Sequence, residues 1–227
     1  MVVTDTTAAA EDSPSPDQRV VRLLARLRHT YPDATVTLDH CAHWQLLIAT
    51  ILSAQQTDQQ VNRVTPALFA RFPSPQDLAA APPDEIEYYL RTLGLFRVKA
   101  RYIQGTCRQL VAEHAGEVPA DLAALTALPG VGRKTALVVL GHGFGLAPGI
   151  VVDTHCMRLS RRLGLTDHRD PIRVERGLLA VVPAAARIAW TDLLIAHGRA
   201  VCTARRPRCS ECPVADLCPR VGVTNAA

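Results

Sequence analysis

The most constraining feature of the chain is a tight join between two apolar helical segments, in which Pro129, Gly130 and Gly132 stand almost side by side. We predict helices over residues 121–127 and 133–141 on its two sides. The turn exposes backbone N–H groups at the start of the second helix. These donors and the positive end of the helix favour an anion, and glycine lets a phosphate approach because it has no Cβ. The sequence therefore predicts a phosphate-binding hairpin.

The residue two positions after Gly132 is a lysine, in a chain that otherwise uses arginine for its cations. Only Lys99 and Lys134 are lysines among the 25 basic residues. Arginine binds phosphate at least as well, but it cannot lose its proton and become a nucleophilic amine. Lys134 therefore indicates amine chemistry. The glycines alone leave open a simple tight turn with a solvated lysine at its edge.

Four cysteines close to the C-terminus form the second strong pattern, Cys202-x6-Cys209-x2-Cys212-x5-Cys218. Thiolates in this number suit either a [4Fe–4S] cluster or a structural zinc ion, and the spacing alone leaves that choice open. The other three cysteines lie in apolar helical surroundings, and we expect them to be buried free thiols: Cys41, Cys107 and Cys156.

These motifs together resemble the endonuclease III family of helix-hairpin-helix, iron–sulfur DNA glycosylases/AP lyases, over about residues 20–220. The resemblance is carried by Leu128-Pro-Gly-Val-Gly-Arg-Lys-Thr-Ala136, by Val152-Asp-Thr-His155, by Ser53-Ala-Gln-Gln-Thr-Asp58 and by the cysteine spacing with Arg206-Pro207-Arg208. It implies an all-α, two-lobed fold with a [4Fe–4S] cluster loop. The four cysteines would bind that cluster.

The resemblance also assigns roles to individual residues. Lys134 would attack the sugar C1′ of a damaged nucleotide, and Asp153 would assist it. Gln55 would fill the gap left by the extruded nucleotide, and Leu95 would wedge into the duplex. Phosphate contacts would come from the hairpin and from the basic cluster loop, at Gly130, Val131, Gly132, Arg133, Arg205, Arg206 and Arg208. Gln56 is a mild departure from the family pattern.

We expect three parts in the chain, the first from its composition and the other two from the resemblance. Residues 1–16, rich in Thr, Ala, Ser and Pro, are expected to be a disordered tail. Residues 36–147 would form a helical bundle containing the hairpin, and residues 17–35 with 148–227 would form the cluster domain. Because Lys134 and Asp153 come from opposite sides of that boundary, we expect the active site in the cleft between the lobes.

Composition sets broader limits. The net charge of +4 permits a nucleic-acid partner without demonstrating one. The apolar stretch from 135 to 152 is interrupted by His142, several glycines and Pro148, so it does not read as a membrane span. With no secretory signal in residues 1–16, we expect a cytoplasmic, nucleoid-associated monomer that binds damaged duplex DNA.

We expect some basic side chains to be solvated: Lys99 and the group Arg158, Arg161 and Arg162.

The predicted function is a bifunctional DNA glycosylase/AP lyase that removes oxidised pyrimidines and nicks the abasic strand by β-elimination. Asp153 could instead be only the N-cap of the next helix, although the two roles are compatible. One alternative function is a monofunctional adenine mismatch glycosylase of the same fold, whose members generally lack lysine at position 134. Another is a non-catalytic DNA-binding protein that uses the hairpin as a phosphate clamp.

Overall fold

The structure, a computed structural model, describes residues 16–227, and this range contains eleven α-helices and no β-strand. The predicted tail lies outside the described residues except for Pro16, where the first helix begins. Short 3₁₀ turns lie at Ala184–Ala186, Cys209–Glu211 and Ala215–Leu217. In chain order the helices are α1 (Pro16–Thr30), α2 (His43–Leu52), α3 (Asp58–Arg71), α4 (Pro75–Ala80), α5 (Pro83–Leu90), α6 (Phe96–His114), α7 (Leu122–Ala127), α8 (Arg133–Phe144), α9 (Thr154–Arg162), α10 (Pro171–Val181) and α11 (Arg187–Ala200).

The helix ends follow local capping chemistry. Thr57 and Gln60 form a capping box at the start of α3. Asp153 accepts a hydrogen bond from the Cys156 N–H and caps α9, as predicted. Helix α8 runs three residues beyond the predicted end at Gly141, because the left-handed residue that ends it is Gly145 (φ 68°).

Apolar side chains form two separate buried clusters. The first draws on residues from Leu38 to Leu140 and therefore on helices α2 to α8. The second joins Val20, Leu23, Leu24 and Leu27 of α1 to residues from Ile150 to Leu217. The first helix of the chain thus packs with the last ones. Trp190 of α11 is the largest fully buried side chain and lies in this second cluster.

Polar contacts connect the elements of one cluster to those of the other. Arg133 on α8 binds Glu175 on α10 through two hydrogen bonds, Nε to Oε2 at 2.8 Å and Nη2 to Oε1 at 2.7 Å. The buried Glu175 carboxylate is therefore paired with a charge, which limits the cost of its burial. Asp58 of α3 meets Arg199 of α11 at 3.1 Å. These contacts hold the two clusters in a fixed relation around the space between them.

No helix within residues 16–227 is both long and apolar enough to cross a bilayer.

Candidate functional site

A cleft of about 380 Å³ lies between the two apolar clusters, and both Lys134 and Asp153 line it. The predicted Gln55 lines it as well, together with His155 and Arg199. The volume falls in the range of small-molecule binding sites in proteins. Three of the predicted site residues, from α8, the start of α9 and the turn before α3, therefore share one opening.

Lys134 is the second residue of α8, directly after the hairpin. Its side chain is exposed and forms no hydrogen bond or ion pair with any other residue in 16–227. Backbone bonds of α8 begin with the Ala136 N–H donating to the Gly132 carbonyl, so the first amides of the helix stay free. The amine and these free amides lie at the same helix end.

The two hairpin glycines differ in conformation and in surroundings. Gly130 has φ +74°, and a Cβ on it would lie 2.7 Å from Cγ of Tyr102. Any other residue there would be strained and would collide with that ring. A Cβ on Gly132 would meet no atom within 4 Å. The space beside Gly132 is therefore open to a ligand group.

Val131 and Arg133, the other two residues predicted to contact phosphate, already have partners within the protein. The Val131 side chain is buried, and its N–H donates to the Leu128 carbonyl at 3.1 Å. Arg133 points its guanidinium at Glu175, and this hydrogen bond raises the pKa of Arg133. Val131 supports the hairpin from inside, and Arg133 retains chiefly its backbone N–H for a phosphate.

Asp153 caps a helix with one carboxylate oxygen and leaves the other without a partner among the described residues. Its Oδ1 accepts from the Cys156 N–H at 2.7 Å, whereas Oδ2 accepts no hydrogen bond from the described residues. The carboxylate is thus held at the start of α9, at the positive end of the helix dipole. One oxygen remains for the cleft.

His155 lies between the cleft and the cysteine loop. Its Nδ1 is 3.2 Å from Nη2 of Arg158, which also donates to the carbonyls of Gly198 (3.2 Å) and Cys202 (3.1 Å). Because Arg158 can only donate, the neutral His155 ring carries its proton on Nε2. Burial lowers the pKa of His155, and the neighbouring Asp153 carboxylate opposes that shift. Arg158, predicted as solvated, instead ties the cleft wall to the cysteine loop.

Gln55 and Leu95 both occupy the left-handed region, with φ values of 56° and 59°. Residues other than glycine rarely adopt this backbone conformation, and such strain concentrates at functional sites. Leu95 is 60% exposed, although leucine is normally buried. A Cβ on Gly94 would lie 2.7 Å from Nε2 of Gln56, so the two turns pack together. Gln56 therefore joins the Gln55 turn to the Leu95 turn.

Cys202, Cys209, Cys212 and Cys218 all line one small cavity, each is partly buried, and none forms a disulfide. No three His, Cys, Asp or Glu side chains within residues 16–227 converge closely enough to hold a single metal ion. A mononuclear zinc site would need its thiolates about 2.3 Å from one point. Four thiols that line one cavity are a donor set that fits a [4Fe–4S] cluster.

Arg162 was also predicted to be solvated, and this is wrong. Its Nη1 donates to the Thr203 carbonyl at 2.7 Å and lies 3.2 Å from Sγ of Cys202. Its Nη2 donates to the Ala204 carbonyl at 2.9 Å. A basic residue on α9 thus shapes the first turn of the cysteine loop.

The arginines of the cysteine loop divide into two kinds. Arg205 and Arg206 are exposed, and their side chains bind no other residue in 16–227. Arg208 is also exposed, but it donates to the Ala200 carbonyl and lies 3.6 Å from Glu211. The first two have free guanidinium groups for phosphate, whereas Arg208 already has partners.

Two further expectations are wrong. Lys99 is only 3% exposed, its amine has no hydrogen-bond partner among the described residues, and burial lowers its pKa. The reason is its place on the buried face of α6 with Ile103, Cys107 and Leu110.

Cys41 is exposed because it precedes α2 instead of lying in it. Cys107 and Cys156 are buried as predicted, and burial raises each thiol pKa to about 12.

Comparison with known proteins gives two family matches. Residues 48–184 match the HhH-GPD superfamily base excision DNA repair protein family, and residues 202–218 match the iron–sulfur binding domain of endonuclease III. Endonuclease III of Synechocystis is 52% identical over 205 residues, which cover 90% of this chain and 94% of that protein. Endonuclease III of Escherichia coli is 44% identical over 198 residues, covering 87% of this chain and 93% of its own length.

Comparison with solved structures also finds endonuclease III. A trapped endonuclease III–DNA covalent intermediate, the estranged-adenine complex, aligns with a TM-score of 0.84 at 42% identity. The alignment covers 90% of this chain and 96% of that one. A thermostable thymine-DNA glycosylase aligns with a TM-score of 0.80 at 20% identity, covering 91% of this chain and 98% of that one, and shows the shared fold alone.

Proposed function

The chain belongs to the endonuclease III family, and from that premise we propose that Lys134 is its nucleophile and Asp153 the carboxylate that assists it. The protein is a base excision repair enzyme, a DNA glycosylase and AP lyase, and its cofactor is a [4Fe–4S] cluster. The observation that carries the site assignment is the shared cleft of Lys134 and Asp153.

In this mechanism the neutral amine of Lys134 attacks C1′ of the damaged nucleotide. The glycosidic bond breaks, and the base leaves with its electron pair and takes up a proton. The C1′–O4′ bond then opens, O4′ gains a proton, and the nitrogen loses its protons to form an imine. Removal of a proton from C2′ expels the 3′ phosphate by β-elimination. Asp153 stabilises the positive charge that develops on the sugar.

DNA binding is assigned to two surfaces, the hairpin before α8 and the cysteine loop. The free amides at the start of α8 and the open space beside Gly132 accept one phosphate group. Arg205 and Arg206 supply guanidinium groups to others. Such contacts position the duplex without reading its sequence. We propose damaged double-stranded DNA as the partner and a monomer as the form of the protein that binds it.

Extrusion of the nucleotide is assigned to the two strained turns. Leu95 presents an exposed apolar side chain that separates stacked bases, and Gln55 occupies the vacated position in the duplex. A damaged base is extruded more easily because its pairing or stacking is already weakened. Oxidised pyrimidines are the proposed substrates.

The [4Fe–4S] cluster, when bound through Cys202, Cys209, Cys212 and Cys218, supplies a structural crosslink for the loop. Around it, Arg158 and Arg162 hold the loop carbonyls, so the exposed Arg205 and Arg206 keep a fixed position. We assign the two apolar clusters to two lobes, residues 36–147 and residues 17–35 with 148–227. The enzyme would act in the cytoplasm, on the nucleoid.

Borohydride trapping on a duplex with one abasic or oxidised-pyrimidine site tests this function. Borohydride reduces the imine, so the wild type should form a stable protein–DNA adduct and nick the strand. Lys134→Gln should form neither. Lys134→Arg is the sharper control, because it keeps the charge and DNA binding but cannot form the imine.

The same experiment separates the alternatives. Wild-type protein that binds the duplex without any adduct or nick would point to the non-catalytic clamp. Removal of adenine from a mismatch, with no adduct on an oxidised pyrimidine, would point to the mismatch glycosylase. An adduct that persists in Lys134→Arg would show that another amine is the nucleophile.

A further inference from the structure

His197 of α11 touches two of the four cluster cysteines. Its backbone carbonyl accepts the N–H of Cys202 at 2.9 Å, and its Nε2 lies 3.5 Å from Sγ of Cys212. The side chain is buried, with 3% of the residue exposed. Such a ring in contact with a cluster thiolate does more than fill space, because it carries a hydrogen-bond donor.

Tyr31, the first residue after α1, holds the other side of the ring. Its hydroxyl lies 2.9 Å from Nδ1 of His197, and the two ring centroids are 5.8 Å apart. The N-terminal helix therefore reaches the cluster ligands through one hydroxyl and one imidazole. Nothing in the sequence spacing indicates this contact, since the two residues are 166 positions apart.

The direction of these hydrogen bonds follows from the ligand chemistry. When Cys212 binds iron, it is a thiolate with no proton, so it can only accept. Nε2 of His197 must then carry the proton and donate to Sγ. A neutral ring protonated on Nε2 has an unprotonated Nδ1, which accepts the hydrogen bond of the Tyr31 hydroxyl. The tyrosine thereby fixes the tautomer that donates to sulfur.

We propose that Tyr31 and His197 act as a hydrogen-bonded pair that donates to the Cys212 thiolate, raising the reduction potential of the cluster and slowing its loss of iron. Hydrogen bonds to cluster sulfurs are among the factors that set reduction potentials. A donor stabilises the more electron-rich, reduced form most. Partners that orient ligands in this way tune many metal sites. Tyr31 and His197 are thus positioning residues for the cofactor.

The test uses the loaded, full-length protein and the variants Tyr31→Phe, His197→Gln and His197→Leu. Two quantities are measured on DNA-free protein: the midpoint potential of the cluster by voltammetry, and the rate of iron transfer to a chelator. Tyr31→Phe removes only the hydroxyl. His197→Gln keeps an N–H donor at the end of the side chain, whereas His197→Leu removes it. Tyr89→Phe, a partly buried tyrosine in the other apolar cluster, is the matched control.

We expect His197→Leu to release iron roughly tenfold faster, as the loss of one hydrogen bond to a charged group implies. Its potential should become more negative. Tyr31→Phe should change both quantities in the same direction but less, and His197→Gln should restore part of the loss. Tyr89→Phe should match the wild type.

Two results would overturn the proposal. One is a Tyr31→Phe protein whose potential and iron release equal those of Tyr89→Phe. The other is faster iron release at an unchanged potential in all three variants, because that pattern reports lost packing without a hydrogen bond to sulfur. Should His197→Leu fail to load iron, Tyr31→Phe decides the question alone.

Discussion

Individual residues of the site are held by one atom and leave another atom free. Asp153 caps α9 through Oδ1 and keeps Oδ2 unbonded among the described residues. His155 accepts from Arg158 at Nδ1 and keeps the proton on Nε2. Side chains fixed in this way lose little conformational entropy when substrate binds. This preorganisation favours the transition state.

Asp153→Asn separates the capping role of this residue from its charge. Asparagine caps a helix about as well as aspartate, so we expect the melting temperature to stay within a few degrees of the wild type. The rate of base release under single-turnover conditions should fall by about 100-fold, as for loss of a positioned acid–base group. A variant that keeps the wild-type rate, or one that unfolds, would contradict the catalytic assignment.

At the scale of helices and turns, the sequence predicted what local chemistry determines. The Asp153 cap and the hairpin both depend on residues within a few positions of one another. The prediction that Lys99 is solvated was wrong, although its spacing to Ile103 and Leu110 indicates a buried helix face. The side-chain contacts of Arg158, Arg162 and His197 with the cysteine loop could not be predicted, because they join positions 15 to 44 residues apart.

The ion pair between α8 and α10 gives an element-scale prediction. Glu175→Gln leaves the Arg133 guanidinium without its anionic partner and should cost about 1–3 kcal/mol. For a chain of this length the melting temperature should fall by roughly 3–10 °C. Glu211→Gln, which removes an exposed ion pair with Arg208, is the control and should shift it by less than about 3 °C. Equal shifts in both variants would show that the Arg133–Glu175 pair stabilises the fold no more than an exposed ion pair does.

The strained turn at Leu95 gives a second prediction. Leu95→Ala removes the apolar wedge but keeps the backbone, so folding should be unaffected. We expect base release from a paired oxidised pyrimidine to slow by about tenfold, since extrusion against stacking costs a few kcal/mol. Nicking at a preformed abasic site should change much less. Ile172→Ala, at an exposed apolar residue of α10, is the matched control, and equal rates in the two variants would reject the wedge.

In the whole molecule, function depends on bringing distant parts of the chain together. Helix α1 packs with the C-terminal helices, and the cleft receives residues from the turn before α3, from α8 and from α9. Local patterns did not indicate this arrangement; it followed from the family resemblance. We propose that the amine at the hairpin bonds covalently to the sugar, with the carboxylate across the same opening.

Mass spectrometry of the borohydride-reduced protein–DNA adduct tests that claim most directly. The chain has only two lysines, so the attachment point is unambiguous after digestion. We predict that the reduced sugar remnant maps to the peptide containing Lys134 and that the Lys99 peptide is unmodified. Attachment at Lys99 or at the N-terminal amine would contradict the account.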